Sequence, residues 1–199
     1  MAIGAGQVKE LRERTGAGMM ECKRALEEAG GDMEAAIDLL RSRGAAKAAK
    51  RADRETREGT IGSYVHSNGK IGVLVEVQCE TDFVARNDEF QQFARDLAMH
   101  IAAASPIALD AEGIPADVVE RERAVYLEQV KNEGKPANMH DKIVDGKMRR
   151  FYQEQTLMDQ IFVKDPAGKQ TIAQLVQDVS GKTGERVVVR RFARFLLGE

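Results

Sequence analysis

At 199 residues the chain is long enough for one good-sized domain or for a small one joined to a larger one. Its 43% hydrophobic and 31% charged residues are ordinary for a globular protein, and no apolar run approaches the ~18 residues of a membrane span. The net charge of −2 offers no bulk attraction to nucleic acid, so shape and apolar contact must carry the recognition of any partner.

Residues 1–45 read as three short helices. Val8 and Leu11 mark the apolar side of the first, and Thr15-Gly16 ends it with a residue suited to a left-handed cap. The second runs from Met19 to Ala29, with Cys22, Ala25, Leu26 and Ala29 at helical spacing, until Gly30-Gly31 breaks it. Asp32 is placed to cap a third helix carrying Ala36, Leu39 and Leu40. A unit this short has a thin core, so it is either marginal alone or a docking module. Residues 46–58 form a basic linker: from Gly44 to Glu58 the chain holds Lys47, Lys50, Arg51, Arg54 and Arg57 with almost no large apolar residue. A partly helical, solvated spacer is the plain reading, and an anion-binding arm the sharper one.

The clearest strand signal follows, opening a core over residues 59–199. Ile61, Ser63 and Val65 alternate with Gly62, Tyr64 and His66, and Asn68-Gly69 favours the positive φ angles of a tight hairpin. The return strand puts Ile71, Val73, Val75, Val77 and Cys79 on one face and Leu74, Glu76, Gln78 and Glu80 on the other. A helix from Asp88 carries Phe90, Phe93, Ala94, Leu97, Ala98, Ile101 and Ala102 as a wide apolar stripe, closed by Ser105-Pro106. A Pro-started helix over 115–131 has a narrow seam through Val118, Val119, Val125 and Tyr126. The stretch 137–153 is helical with Ile143, Val144, Met148, Phe151 and Tyr152; LMDQIFVKDPAG is irregular; a short helix follows Thr171; and residues 186–196 alternate as a last strand. Strands separated by helices imply an α+β fold, a small antiparallel sheet packed by helices.

Catalytic patterns are missing. His66, His100 and His140 are scattered without metal-ligand spacing, so no metal site is expected and each reads as a surface or half-buried neutral histidine. Gly4-Ala5-Gly6 and Gly16-Ala17-Gly18 follow no predicted strand, and Gly168-Lys169 lacks the upstream glycine of a phosphate-binding loop. No Ser or Cys stands in a nucleophile elbow. Cys22 and Cys79 have no CxxC spacing and read as small core residues in a reducing cytosol. The N-terminus MAIGAGQVKE lacks the basic-then-apolar build of a signal peptide, and the chain is expected to be a cytoplasmic non-enzyme without cofactor.

Two segments resist a purely structural reading. Thr81-Asp82-Phe83-Val84 lies where a polar connection belongs, yet sets Phe beside Val after an acidic residue. Spacing leaves two readings open: Phe83 tucks under the following helix, capped by Asp82 or Asn87, or it stands out as an anchor for a partner's pocket. Met19 and Met20, being adjacent, cannot both face one core; one is incidental, or the pair forms an adaptable apolar contact surface flanked by Leu11 and Lys23.

VKELRERTGAGMMECKRALEEAGGDMEAAIDLLR, from Val8 to Arg41, resembles the N-terminal module of the bacterial elongation factor Ts family, a ubiquitin-associated-like three-helix fold. VEVQCETDFVARNDEF, from Val75 to Phe90, closely resembles that family's central motif, and GKPANMHDKIVDGKMRRF and QIFVKD are similar to its closing segments. The resemblance implies a guanine nucleotide exchange factor that binds the GTPase elongation factor Tu, displaces its Mg²⁺ and promotes GDP release. It implies that Thr81, Asp82, Phe83 and Val84 push into the region of the Mg²⁺ site, with Phe83 as wedge, and that Leu11, Met19, Met20 and Lys23 dock the N-terminal module. A single hairpin sheet resembles the family's short form, in which two chains pair, so a homodimer is expected; no membrane or direct nucleic-acid contact is.

Overall fold

The computed structural model describes residues 3–198, with the backbone alone at residues 45 and 47–49; the Lys47 side chain of the basic run therefore lies outside the described residues. The elements are α1 Ala5–Thr15, α2 Met19–Glu28, α3 Met33–Ala49, β1 Glu58–Val65, β2 Ile71–Cys79, α4 Asp82–Ala85, α5 Asp88–Ala104, α6 Ala116–Asn132, α7 His140–Gln155, α8 Ile172–Thr183 and β3 Val188–Leu196. The sheet is three-stranded and antiparallel in the order β1-β2-β3. The architecture is α+β, as expected. No described helix is long and apolar enough to cross a membrane.

The chain divides into two compact units. One comprises Met1–Gly62, Val75–Arg95 and Gln174–Arg190; the other comprises Ser63–Leu74, Asp96–Ala173 and Arg191–Glu199. In the first, the three-helix module closes on Val8, Leu11, Cys22, Ala25, Leu26 and Ala36, the residues that helical spacing aligns on facing sides of α1, α2 and α3. Gly16 caps α1 at φ 68°, its N–H donating to the Arg12 carbonyl, and the Asp32 carboxylate accepts the Ala35 N–H at 2.9 Å to start α3.

The linker is less free than a spacer. Alanine-rich sequence carries α3 on through residue 49, because nothing before Lys50 breaks the helix. Beyond it, Arg51 donates to the Ser180 carbonyl at 3.0 Å, and Arg54 pairs with Glu80 at 3.2 Å. The Thr56 hydroxyl donates to the Gln78 side-chain oxygen, also at 3.2 Å. The turn between α1 and α2 lies against the same end of α8: a Cβ added at Gly16 would sit 2.3 Å from Lys182 Cε.

On β2, Val73, Val75, Val77 and Cys79 are buried, the expected period-2 face. On β1 the buried position is Gly62, whose missing Cβ lets α5 approach: a methyl there would meet the Ala94 carbonyl oxygen at 2.3 Å. Because that obstacle is backbone, Gly62→Ala is expected to cost about 1–3 kcal/mol, lowering Tm by about 2–4 °C per kcal/mol. A melting curve superimposable on that of the parent chain would contradict this helix–strand contact.

In the second unit, the hairpin turn departs from expectation. Only Gly69 takes a positive φ, 68°, and Asn68 instead accepts the Lys70 N–H at 2.9 Å through its side chain. The pair α6–α7 encloses Val130, Val144, Met148 and Phe151 with Ala108 and Ile114. Val125, expected in the α6 seam, is exposed; the helix is rotated so that Val130 fills the core, with Leu127 partly buried against it.

His100 also corrects the sequence reading, for it is fully buried. The Val163 N–H donates to its Nδ1 at 3.3 Å, which leaves the proton on Nε2 to donate to the Gln160 oxygen at 3.0 Å. Gln160 passes its own amide hydrogens to the Glu154 and Ala104 carbonyls. These bonds tether the irregular QIFVKD segment, and the neutral imidazole satisfies all of them.

Burial lowers the His100 pKa, against a smaller upward pull from Gln160. A folded pKa below the unfolded one leaves this contribution intact above the unfolded value of about 6.5, and it is lost as pH falls from there toward the lowered folded value. Urea midpoints are therefore expected to fall between pH 7.5 and 5.5, with His100→Gln reducing that fall. Equal pH dependence in both proteins would contradict the assignment.

Candidate functional site

The segment of greatest interest begins where β2 ends. After Cys79 the chain turns into the single-turn helix α4, and the Thr81 hydroxyl caps it by accepting the Val84 N–H at 3.5 Å. At the far end Ala85 is buried and its carbonyl accepts the Gln91 side-chain amide at 2.7 Å. Asn87 begins α5, its side-chain oxygen accepting the Glu89 N–H at 2.8 Å. Thr81 and Asn87 are thus the caps, and Asp82 is not.

Between these fixed ends Phe83 is 84% exposed. Of the two readings that spacing left open, burial under α5 is excluded. One turn of helix with Ala85 inward turns Phe83 outward, since positions two apart on a helix lie on different sides. Val84 is half-buried and anchors the turn. Asp82 pairs with Arg86 at 3.1 Å across one exposed helical turn, an ion pair worth at most about 1 kcal/mol. Its carboxylate is therefore easily diverted to another partner.

The turn is also held from a distant part of the chain. Glu185, in the connection from α8 to β3, accepts the N–H groups of Glu80 and Thr81 at 3.0 Å each, and the Thr81 hydroxyl at 2.5 Å. In return the Glu80 carboxylate accepts the Arg186 N–H at 2.6 Å. That bond, with the Arg54 guanidinium, holds the Glu80 pKa below its ordinary value. Arg186 donates in turn to the Arg54 carbonyl. The Cys79 thiol donates to the Thr81 carbonyl at 3.2 Å; burial, and then the nearby negative charge of Glu185, push its pKa to about 11. At neutral pH it is a thiol and a structural donor rather than a nucleophile.

The second predicted set lies on α2 and α1. Met19 and Met20 are 55% and 62% exposed, so neither belongs to the core, and Lys23 is exposed one turn after Met19 with its ammonium 3.8 Å from Glu27. Leu11 differs. It is fully buried among the module's helices, on the apolar side of α1 where spacing puts it, and the docking contact that the resemblance implies for it is corrected: it holds α1 against α2 and α3. Glu185 was missed in the sequence. A Gly-Glu-Arg connection has no local pattern that reveals a bond to residues more than a hundred positions earlier.

A family model described as Elongation factor TS matches residues 46–199. The chain is 55% identical over 197 residues to "Elongation factor Ts" of Oleidesulfovibrio alaskensis, covering 99% of this chain and 98% of that one. It is 56% identical to "Elongation factor Ts" of Nitratidesulfovibrio vulgaris, covering 100% and 98%, and 55% identical to the protein of the same name in Fervidobacterium nodosum, where both chains are covered completely.

Proposed function

The chain belongs to the elongation factor Ts family of translation elongation factors, and on that premise we propose that it opens the nucleotide site of elongation factor Tu by inserting Phe83. The observation that carries this reading is the exposed ring on an otherwise tightly held turn. A large aromatic kept in water costs the free chain solvation and gives its fold nothing in return; burial in a partner recovers about 1.5–3 kcal/mol.

The bound nucleotide is tied to its GTPase largely through Mg²⁺, which neutralises the phosphates. A wedge that displaces the helix whose partners hold the ion removes that neutralisation, and GDP leaves. Asp82 arrives beside the ring, and releasing Arg86 costs it little. Val84 and Thr81 keep the ring at its angle. Met19, Met20 and Lys23 bind the body of the GTPase through the N-terminal module. No covalent step is involved, and the chain acts by differential binding in the cytoplasm rather than as an enzyme.

Linkage sets the scale. If the factor weakens GDP, GDP weakens the factor by the same ratio. A ~10⁴-fold weakening needs about 5.5 kcal/mol of differential binding. One phenylalanine supplies roughly half of that at most, so the docking surfaces must contribute the rest.

The deciding experiment is stopped-flow release of a fluorescent GDP analogue from elongation factor Tu. Addition of this chain is expected to accelerate release, and an unchanged rate removes the proposal. The reading extends to a second copy of the chain. The hairpin end of the sheet leaves Val65, Leu74, Phe195 and Leu197 exposed, an apolar set suited to self-association about a two-fold axis. Light scattering should give the mass of a dimer; a monomer with full exchange activity rules the pairing out. Direct nucleic-acid binding has no place in this reading, since a net charge of −2 gives no bulk attraction to phosphate.

A further inference from the structure

We propose that Glu185 is a positioning residue for nucleotide exchange, setting the direction in which Phe83 is presented; this rests on the reading of Phe83 as the wedge. The ring is 84% exposed, so its own packing cannot fix its direction in the free chain. That direction must come from the backbone of α4. A helix of one turn does not hold itself, because fixing its dihedrals costs more than its first hydrogen bond returns. Its ends must be held from outside.

The downstream end is held by buried Ala85 and by Gln91. At the upstream end, one carboxylate takes three hydrogen bonds. Glu185 Oε2 accepts the N–H of Glu80 and of Thr81, each at 3.0 Å, and Oε1 accepts the Thr81 hydroxyl at 2.5 Å. The last bond matters most for the helix. A hydroxyl whose hydrogen is committed to Glu185 presents its lone pairs to the Val84 N–H, so the capping bond is oriented by the carboxylate.

Glu185 is itself held. Its carbonyl accepts the Ser180 hydroxyl at 2.5 Å, and its N–H reaches Thr183 Oγ1 at 3.4 Å. The neighbouring Arg186 N–H returns a bond to the Glu80 carboxylate at 2.6 Å. Residues 80–81 and 185–186 therefore exchange hydrogen bonds in both directions, and the wedge is braced by the end of α8. Charge-assisted bonds of this kind are among the stronger ones available to a surface-proximal turn.

Glu185→Gln tests the idea with little change of shape, since it removes the charge and replaces one acceptor with a donor. At saturating factor, the maximal rate of fluorescent GDP release is expected to fall roughly tenfold, the size associated with losing one charge-assisted bond. The factor concentration giving half-maximal rate is expected to change much less. Thr81→Val, which removes the oriented hydroxyl, should show the same split. Native-state amide exchange at Glu80 and Thr81 should quicken in Glu185→Gln while the melting temperature of the whole chain stays near that of the parent.

In a Phe83→Ala background, Glu185→Gln should slow exchange no further, because it acts through the missing ring. Additive losses, or an unchanged maximal rate in Glu185→Gln while Phe83→Ala is slow, overturn the positioning role alone. An unchanged rate in Phe83→Ala by itself overturns the wedge and this proposal together.

Discussion

Phe83→Ala is expected to slow GDP release from elongation factor Tu by about tenfold to a hundredfold at saturating factor, without lowering the melting temperature of the free chain. The two halves of that result have separate causes. The ring is 84% exposed in the free chain, so its removal takes no packing from the fold. On the proposed reading the same ring enters an apolar pocket of the partner, and losing about 1.5–3 kcal/mol of transition-state burial there would raise the exchange barrier by that amount. The affinity of complex formation should move less, since Met19, Met20 and the core contacts remain. A release rate equal to that of the parent chain would mean that the wedge is elsewhere. A large drop in melting temperature would mean that the ring is packed in the free chain after all.

Leu11→Ala should have the opposite profile. Leu11 is completely buried among Val8, Cys22, Ala25, Leu26 and Ala36, and truncating such a residue costs about 2–5 kcal/mol. A three-helix module with so few core residues has little stability to lose, so the variant should melt this part of the chain early. Its binding to the GTPase should weaken only as far as the module unfolds. Met19→Ala and Met20→Ala, by contrast, should leave melting unchanged and weaken the complex by roughly 1 kcal/mol or more each. Circular dichroism melts set beside dissociation constants separate the two classes. Weakened binding by Leu11→Ala with an unaltered melt would place Leu11 at the interface and contradict its burial.

Most of the local structure was legible because it is dictated locally. The β2 face follows from alternation at Val73, Val75, Val77 and Cys79, and the end of α1 follows from a glycine that tolerates positive φ at position 16. The first turn of α3 follows from Asp32. Where reading failed, a longer-range fact was decisive. The resemblance groups Leu11 with Met19 and Met20 as a docking residue, but Cys22, Ala25 and Leu26 of α2 and Ala36 of α3 close over it. Val125 looked like part of the α6 seam, yet Val130 filled the space against α7 and Val125 turned to solvent. His100 reads from sequence as a surface or half-buried histidine outside the apolar stripe of α5, because nothing in its neighbourhood in sequence announces Gln160 and Val163 as partners.

The candidate site divides along the same line. Thr81-Asp82-Phe83-Val84 could be singled out from the sequence by composition alone, as an apolar pair where a polar connection belongs, and its family by the motif around it. The direction of Phe83 could not be read, because spacing permits it to point inward or outward from a single turn. Tertiary structure decided that: Ala85 is buried, Gln91 and Glu185 hold the two ends, and the ring is left in water. Periodicity, caps and turns are properties of neighbours in the chain, so the sequence alone determines them. The brace on the Phe83 turn joins residues 80–81 to residue 185, and only folding brings such distant groups within hydrogen-bond range.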